Sequence, residues 1–353
     1  MSDGKAVPFD FYSEFDSPAT IESIAQALRT SGHTVHFVEA DDELPRWFQT
    51  HAVDLAFNIA EGVRGAHRES QVPAVLETLG VPFTGSNSLT LALTINKAKT
   101  KRILAYEGIP TPAWQLFTAP DQPLNPQLTF PLIAKPNREG SAKGISRESV
   151  VSDEAGLRRQ VRRIVEQYHQ EALVEEFIDG AELTVGVLGN DDPQVLPILE
   201  IDFSSCGASG EFFYSWRMKE YQGDESLGLT PRFYCPARLS QELTAKVQTI
   251  ALRAHQALGC LDLSRTDIRL RADGTPFVLE VNPLPGLDPH ESNLPIMVAA
   301  AGIPYPVFMH RIIDVALARY RDAAHAQEPP VSPPSPSVLA GQADQLAGSR
   351  TAP

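Results

Sequence analysis

The stretch SRTDIRLRADGTPFVLEVNPLPG, residues 264–286, constrains the fold more than any other. Asp273-Gly274 separates two runs of alternating polar and apolar residues. This pair tolerates the positive φ of a type I′ turn, so the segment reads as a two-residue β-hairpin. Such a turn sets the register, with Asp267 expected opposite Glu280 and Arg265 opposite Asn282. Period-two alternation puts these four on one face, and Ile268, Leu270, Phe277, Leu279 and Val281 on the other, which is expected to be core. Two opposed carboxylates, with Cβ atoms about 4.5–5.5 Å apart, repel unless something positive lies between them. Asp, Glu and Asn oxygens suit a hard cation such as Mg²⁺. A solvated polar face is the plainer alternative, and the adjacent Arg and the following PLPG weigh against it.

Upstream, helices alternate with short apolar strands. Residues 17–31 carry an N-cap serine, a proline in the first turn and apolar residues at helical spacing, ending at Gly32. Strands are expected at 34–38, 53–58 and 81–84, with a helix at 71–79 closed by Gly80, which implies an α/β layer on a parallel sheet. A single helix is expected over 90–107, stopped by Gly108, then a strand at 130–135, a helix at 152–169, and strands at 172–177 and 183–188. A helix at 241–258, the hairpin and a last helix from near Tyr305 follow. The expected organisation is an N-terminal α/β domain (1–95), a central α+β unit (96–180), a unit bearing the hairpin (181–322), and a Pro- and Ser-rich tail (323–353) expected to be disordered.

Charge and composition exclude some classes. The formal charge of -14 without a basic run argues against a nucleic-acid or anionic-membrane surface, although a small anion in a local pocket remains compatible with it. Three scattered cysteines form neither a disulfide framework nor a zinc motif, and a reduced cytoplasmic setting is expected. The acidic N-terminal stretch has no apolar core of the kind a secretory signal needs, and no run of about 18 apolar residues suggests a membrane span. Lys135 ends an apolar strand and leads into the Gly-bearing loop NREGSAKG, 137–144, whose backbone N–H groups suit phosphate oxygens. The loop is neither a Walker loop nor GxGxxG, and HExxH and G-x-S-x-G are absent. Glu175-Glu176-Phe177-Ile178 reads as a strand end where backbone amides could meet a heterocycle edge.

In order along 10–320, these pieces resemble the ATP-grasp superfamily, specifically the D-alanine–D-alanine ligase family: FNIAEG (57–62), PFTGSNSLTLALTINKAKTK (82–101), GIPTP (108–112), PLIAKPNREGSAKGIS (131–146), VEEFIDGAELTV (174–185) and the hairpin with LEVNPLPG. The resemblance implies a three-domain ATP-grasp fold of mixed α/β and α+β class. It also implies that Lys97 and Lys135 contact ATP phosphates and that the loop bearing Glu139, Gly140 and Ser141 closes over them. By the same match Glu175, Glu176, Phe177 and Ile178 hold adenine, Glu182 binds ribose, and Tyr214 and Lys219 lie in a mobile loop that closes the site, Lys219 on the ATP side. Asp267, Glu280 and Asn282 match ligands of two Mg²⁺ ions, for which Mn²⁺ could substitute. Arg265 and the N–H of Gly286 match groups that stabilise a tetrahedral intermediate. Glu14, Ser141 and Ser292 match substrate-side positions, Glu14 facing a substrate ammonium.

The implied reaction activates an amino-acid carboxylate as an acyl phosphate and condenses it with an amine, releasing ADP and phosphate. Small-molecule substrates and a homodimer, common in the family, are expected. Departures from the family pattern concern the substrates: Glu61 replaces a usual His, NPLPGLDPHES places one extra residue before Ser292, and the closing segment 212–234 is long, with Glu220 where a Tyr is usual. These changes suggest a partner other than D-alanine. A carboxylase or phosphoryl-transfer ATP-grasp enzyme would share the nucleotide and metal residues, while a non-catalytic module would have no need of all three metal ligands.

Overall fold

The structure is a computed structural model and describes residues 8–326. It divides into two compact units, Met1–Leu317 and Ala318–Pro353. The described part of the second is the end of the last helix, which continues through Ala326, past the expected start of the tail; residues 327–353 of that tail lie outside the described residues.

In the first unit two antiparallel sheets are each backed by a helix. The four-stranded sheet has the order β1 (Trp114–Phe117), β4 (Ala172–Glu176), β2 (Leu132–Pro136), β3 (Val150–Val151). Helix α6 (Glu154–Gln167), capped by the Asp153 carboxylate, presents Leu157, Val161 and Ile164 to Phe117, Leu132, Ala134 and Val174. The second sheet runs β10 (Pro276–Asn282), β9 (Leu263–Arg271), β5 (Gly180–Leu188), β7 (Leu199–Asp202), β8 (Arg232–Tyr234), with β6 (Gln194–Val195) paired to β5. Behind it lies α8 (Gln241–Ala257), whose Val247, Ile250, Ala251 and Ala254 pack on Val185, Ile268, Val278 and Val281. A further core joins α1 (Pro18–Thr30), α9 (Asn293–Ala300) and α10 (Tyr305–Ala326) to Leu188, Leu199 and Leu263. Helices α2 (Leu44–Thr50), α3 (Gln71–Leu79), α4 (Ser88–Thr94), α5 (Lys97–Tyr106) and α7 (Trp216–Glu220) complete the set.

Three expectations are corrected. Of the N-terminal parallel sheet, only one parallel bridge forms, Ala56 with Phe83; residues 34–38 are extended but unpaired in any ladder, with Phe37 exposed rather than buried. The expected helix 90–107 is two helices, because the Asn96 side chain caps a new start by accepting from the Lys99 N–H, and Asn137 Oδ1 takes the Ala98 N–H. In the hairpin, the turn has three residues rather than two: Gly274, at φ +80°, donates to Arg271, whose own N–H donates to Thr275. This offsets the first pairs by one, so Val278 faces Ile268; a bulge at Leu279 removes the offset, and Glu280 meets Asp267 and Asn282 meets Arg265 as expected. Val278 therefore enters the core in place of Phe277 and Leu279; Phe277 lies under the Arg271 guanidinium and Leu279 lines a cleft.

Candidate active site

A cleft of about 550 Å³ is lined by residues of both sheets and of the loops around them, a size suited to small ligands. Lys135, on the last turn-facing part of β2, and Lys101, on α5, both reach the carboxylate of Glu175 on β4, at 2.6 and 2.8 Å. Glu175 is 1% exposed and Lys101 fully buried. Burial works to raise the Glu175 carboxyl, but the two lysines hold it below the usual range; burial, against Glu175, pushes Lys101 down to about 8. Lys97 stands in the first turn of α5, where the helix break puts it, and bonds Glu280 at 2.7 Å and the Glu139 carbonyl at 2.7 Å.

On the hairpin, both oxygens of Asp267 are engaged: Arg265 donates to each, at 3.0 and 2.9 Å, Thr184 at 2.7 Å and Asn282 at 3.0 Å. Burial would raise the Glu280 carboxyl; Lys97, then Lys135, hold it far below the carboxylate range. Two carboxylates and an amide side chain on adjacent strands form an oxygen-donor set that fits a hard divalent cation, with Lys97 and Arg265 supplying positive charge beside them in this structure.

The loop 138–144 carries consecutive left-handed residues, Ser141 (φ 50°) and Ala142 (φ 55°), an uncommon backbone for side-chain-bearing residues. Distant groups hold it. Glu14 accepts from the Gly140 N–H at 2.7 Å, from Lys143 at 2.8 Å and from Arg68 at 2.6 Å; Arg68 and Lys143 also bond Glu139. Asp10 accepts from the Gly144 N–H at 2.7 Å and the Tyr168 hydroxyl at 2.8 Å.

Residues 103–314 match the family described as D-ala D-ala ligase C-terminus. A D-alanine–D-alanine ligase of Nitratidesulfovibrio vulgaris (strain DP4) is 37% identical over 303 residues, covering 85% of this chain and 93% of that protein. The chain belongs to the D-alanine–D-alanine ligase family. It is also 34% identical over 307 residues to an uncharacterized protein of Sinorhizobium fredii, covering 85% of this chain and 88% of that one. The solved D-alanine–D-alanine ligase of Bacillus anthracis overlays it with a TM-score of 0.72 at 27% identity, covering 90% of this chain and 97% of that chain; the same enzyme complexed with ATP gives 0.70. The fold is the expected ATP-grasp fold, and the chain is an ATP-binding, ATP-dependent carbon–nitrogen ligase acting on small molecules.

In this family member the expected site residues all line one cleft, but several side chains point elsewhere than the resemblance implied. Glu14, expected to meet a substrate ammonium, is instead surrounded by two cations and a backbone N–H. Glu175 spends its side chain on the two lysines, and the N–H groups of Glu176 and Phe177 go to the carbonyls of Ala113 and Pro131. The Glu176 side chain pairs with Arg271. Glu182 pairs with Arg269 at 2.7 Å, and Arg269 spans to Phe177 and the Phe212 carbonyl. Ile178 is buried beside them.

The closing segment folds over the loop 138–144: Lys219 donates to Ser141 Oγ at 2.6 Å, Tyr214 bonds Gln222, and Trp216 donates to Ser13 and meets Phe9 edge-on. Ser292 Oγ accepts from the Asp288 N–H and stands beside Gly286. Sequence reasoning missed Arg68, Lys101, Asp16, Glu69 and Arg269. Arg269 alternates with Arg265 and Asp267 on β9 and was recoverable from that period. Lone Arg68 and Glu69 in a polar stretch carried no such signal.

Proposed function

We propose that the ligase joins two amino acids, activating the carboxylate of one as an acyl phosphate and condensing it with the amine of the other to give a dipeptide-like amide. The observation that carries this reading is the meeting, in one cleft, of Lys97, Lys135, Lys219 and Arg265 with the opposed Asp267, Glu280 and Asn282. The substrate carboxylate attacks the γ-phosphorus of ATP, the bond to the β–γ bridging oxygen breaks, and ADP leaves. Lys97 and Lys135 have carboxylate partners to exchange for phosphate oxygens, and the N–H groups of 140–144 lie on a loop that Glu14 and Asp10 hold in shape. Asp267, Glu280 and Asn282 would hold Mg²⁺, which when bound supplies Lewis-acid neutralisation of phosphate charge.

As the amine adds to the acyl carbon, Arg265 and the Gly286 N–H stabilise the oxyanion, a contribution of roughly 2.7–4 kcal/mol per donor. Lys219 and Tyr214, on the closing segment, and Glu182, Glu176, Phe177 and Ile178, on the strand-end side, enclose the nucleotide and exclude water that would hydrolyse the acyl phosphate. Ser141 and Ser292 offer hydroxyls to the substrates. Three unpaired cysteines accord with a reducing, cytoplasmic setting, and among the described residues no single helix is long and apolar enough to cross a membrane. A homodimer accords with family habit and is checked by sedimentation.

The test incubates the purified chain with ATP, Mg²⁺ and pairs of D- and L-amino acids, measuring phosphate release and the mass of condensed products. A product of two amino acids less one water is expected; ADP formation without any such product overturns the reading.

A further inference from the structure

The acidic side chains facing the nucleotide end of the cleft are matched by bases, as described above. Another part of the same lining is not. Asp16, on the loop before α1, and Glu61 and Glu69, on the segment between residue 57 and α3, form no ion pair. They lie close enough to act on one another: Glu69, Glu14 and Asp16 all oppose ionisation of Glu61, and Asp288 opposes that of Asp16. The free cation of the chain nearest to them is Lys219, which is already hydrogen-bonded to Ser141. Uncompensated carboxylates in a partly desolvated cleft are costly, so a counter-charge is missing. A metal is a poor candidate, since among the described residues no group of three or more His, Cys, Asp or Glu side chains is arranged to hold one.

A second observation concerns Asn58, on the same segment and lining the same cleft. It is 8% exposed; its Oδ1 accepts from the Ala60 N–H, while Nδ2 is buried without a partner. A lone buried amide donor calls for an acceptor, and an amino-acid substrate brings one in its carboxylate. The missing counter-charge and the missing acceptor are thus two requirements on one ligand. The reacting nitrogen of the amine substrate cannot meet the first, because it must be deprotonated to attack the acyl carbon. On the ligase reading above, we infer that the amine substrate is a diamino acid, whose carboxylate meets Asn58 and whose second, cationic nitrogen meets Asp16, Glu61 and Glu69.

The test compares acceptors of matched shape, lysine against norleucine and ornithine against norvaline, in both enantiomers, with ATP, Mg²⁺ and each donor amino acid of the screen above. Condensed product is identified by mass. The expected result is a kcat/KM at least about tenfold higher for the diamino acid, equivalent to about 1.4 kcal/mol. In the Glu61→Gln, Glu69→Gln double variant that ratio should fall below about threefold, mainly through a higher KM for the diamino acid, as loss of a charge partner at the binding step requires. Equal or better use of norleucine and norvaline by the wild-type chain overturns this inference while leaving the ligase reading standing, and so does a ratio unchanged in the double variant. Absence of condensed product with every pair overturns the ligase reading and this inference with it.

Discussion

Glu69 and His255 titrate in opposite senses across one pH window. Burial, with Glu14 nearby and Arg68 opposing, raises the Glu69 carboxyl to about 7, so between pH 4.5 and 7 the native state holds a proton that the unfolded chain has released. Stability from this group is lost as pH rises. Burial pushes His255 down to about 4, its Nδ1 sharing a hydrogen with Ser264, so between pH 6.5 and 4 the unfolded chain binds a proton that the native state does not, and stability is lost as pH falls. The two slopes offset one another in the wild type. Urea melts from pH 4 to 8 separate them: Glu69→Gln should gain roughly 1–3 kcal/mol at pH 8 and nothing near pH 4.5, while His255→Gln should flatten the acid limb. At the same scale, Glu280→Ala removes a carboxylate that Lys97 faces and should abolish ADP formation, whereas Arg265→Met should lower kcat by about 10²–10³ with little change in ATP KM, as expected for a donor used in the transition state.

Among the elements, the loop 138–144 is the one whose shape is maintained from outside. Its left-handed Ser141 and Ala142 are held by Glu14, Asp10 and Arg68, none of which is near it in sequence. A Cβ on Gly140 would stand 2.9 Å from Glu14 Oε1, so Gly140→Ala must displace that carboxylate from the loop. ATP KM should rise about tenfold, equivalent to about 1.4 kcal/mol, read from initial rates of ADP release. Arg68→Met leaves Glu14 and Glu139 with Lys143 as their remaining cation and should destabilise the fold by about 3–5 kcal/mol in urea melts. The hairpin teaches a different lesson at this scale. Its register was legible although its turn was not, because a three-residue turn and the Leu279 bulge shift the pairing by one residue in opposite directions. The helix break at Asn96 was equally local, but a capping side chain inside an apolar-periodic run is hard to tell from a tolerated asparagine until Asn137 is seen beside it.

For the whole molecule, the net charge of -14 becomes intelligible as a set of pairs with a remainder. Carboxylates near the nucleotide end are neutralised by lysines and arginines that a polyphosphate can claim in turn, so an acidic chain accommodates an anion without a basic surface. A non-hydrolysable ATP analogue with Mg²⁺ at 100 times its Kd should stabilise the native state by about 2.7 kcal/mol, seen as a raised Tm. Chelation should remove most of that gain if Asp267, Glu280 and Asn282 hold the ion; a Tm shift indifferent to chelator would locate the analogue's affinity in the lysines alone.

What the residues determined by themselves is what depends on period and turn chemistry: which side chains share a face of the hairpin, where Lys135 leaves its strand, where caps start α1 and α6, and the order of motifs that resembles the ligase family. Tertiary structure decided which charges meet. Glu14 finds Arg68, 54 residues away, and Gly140, 126 residues away, and so is engaged before any substrate arrives, while Glu61 and Glu69 find no base at all. Side-chain direction along an element is set by local backbone geometry, whereas the partner of a buried charge is set by which distant segment the core packing brings alongside it.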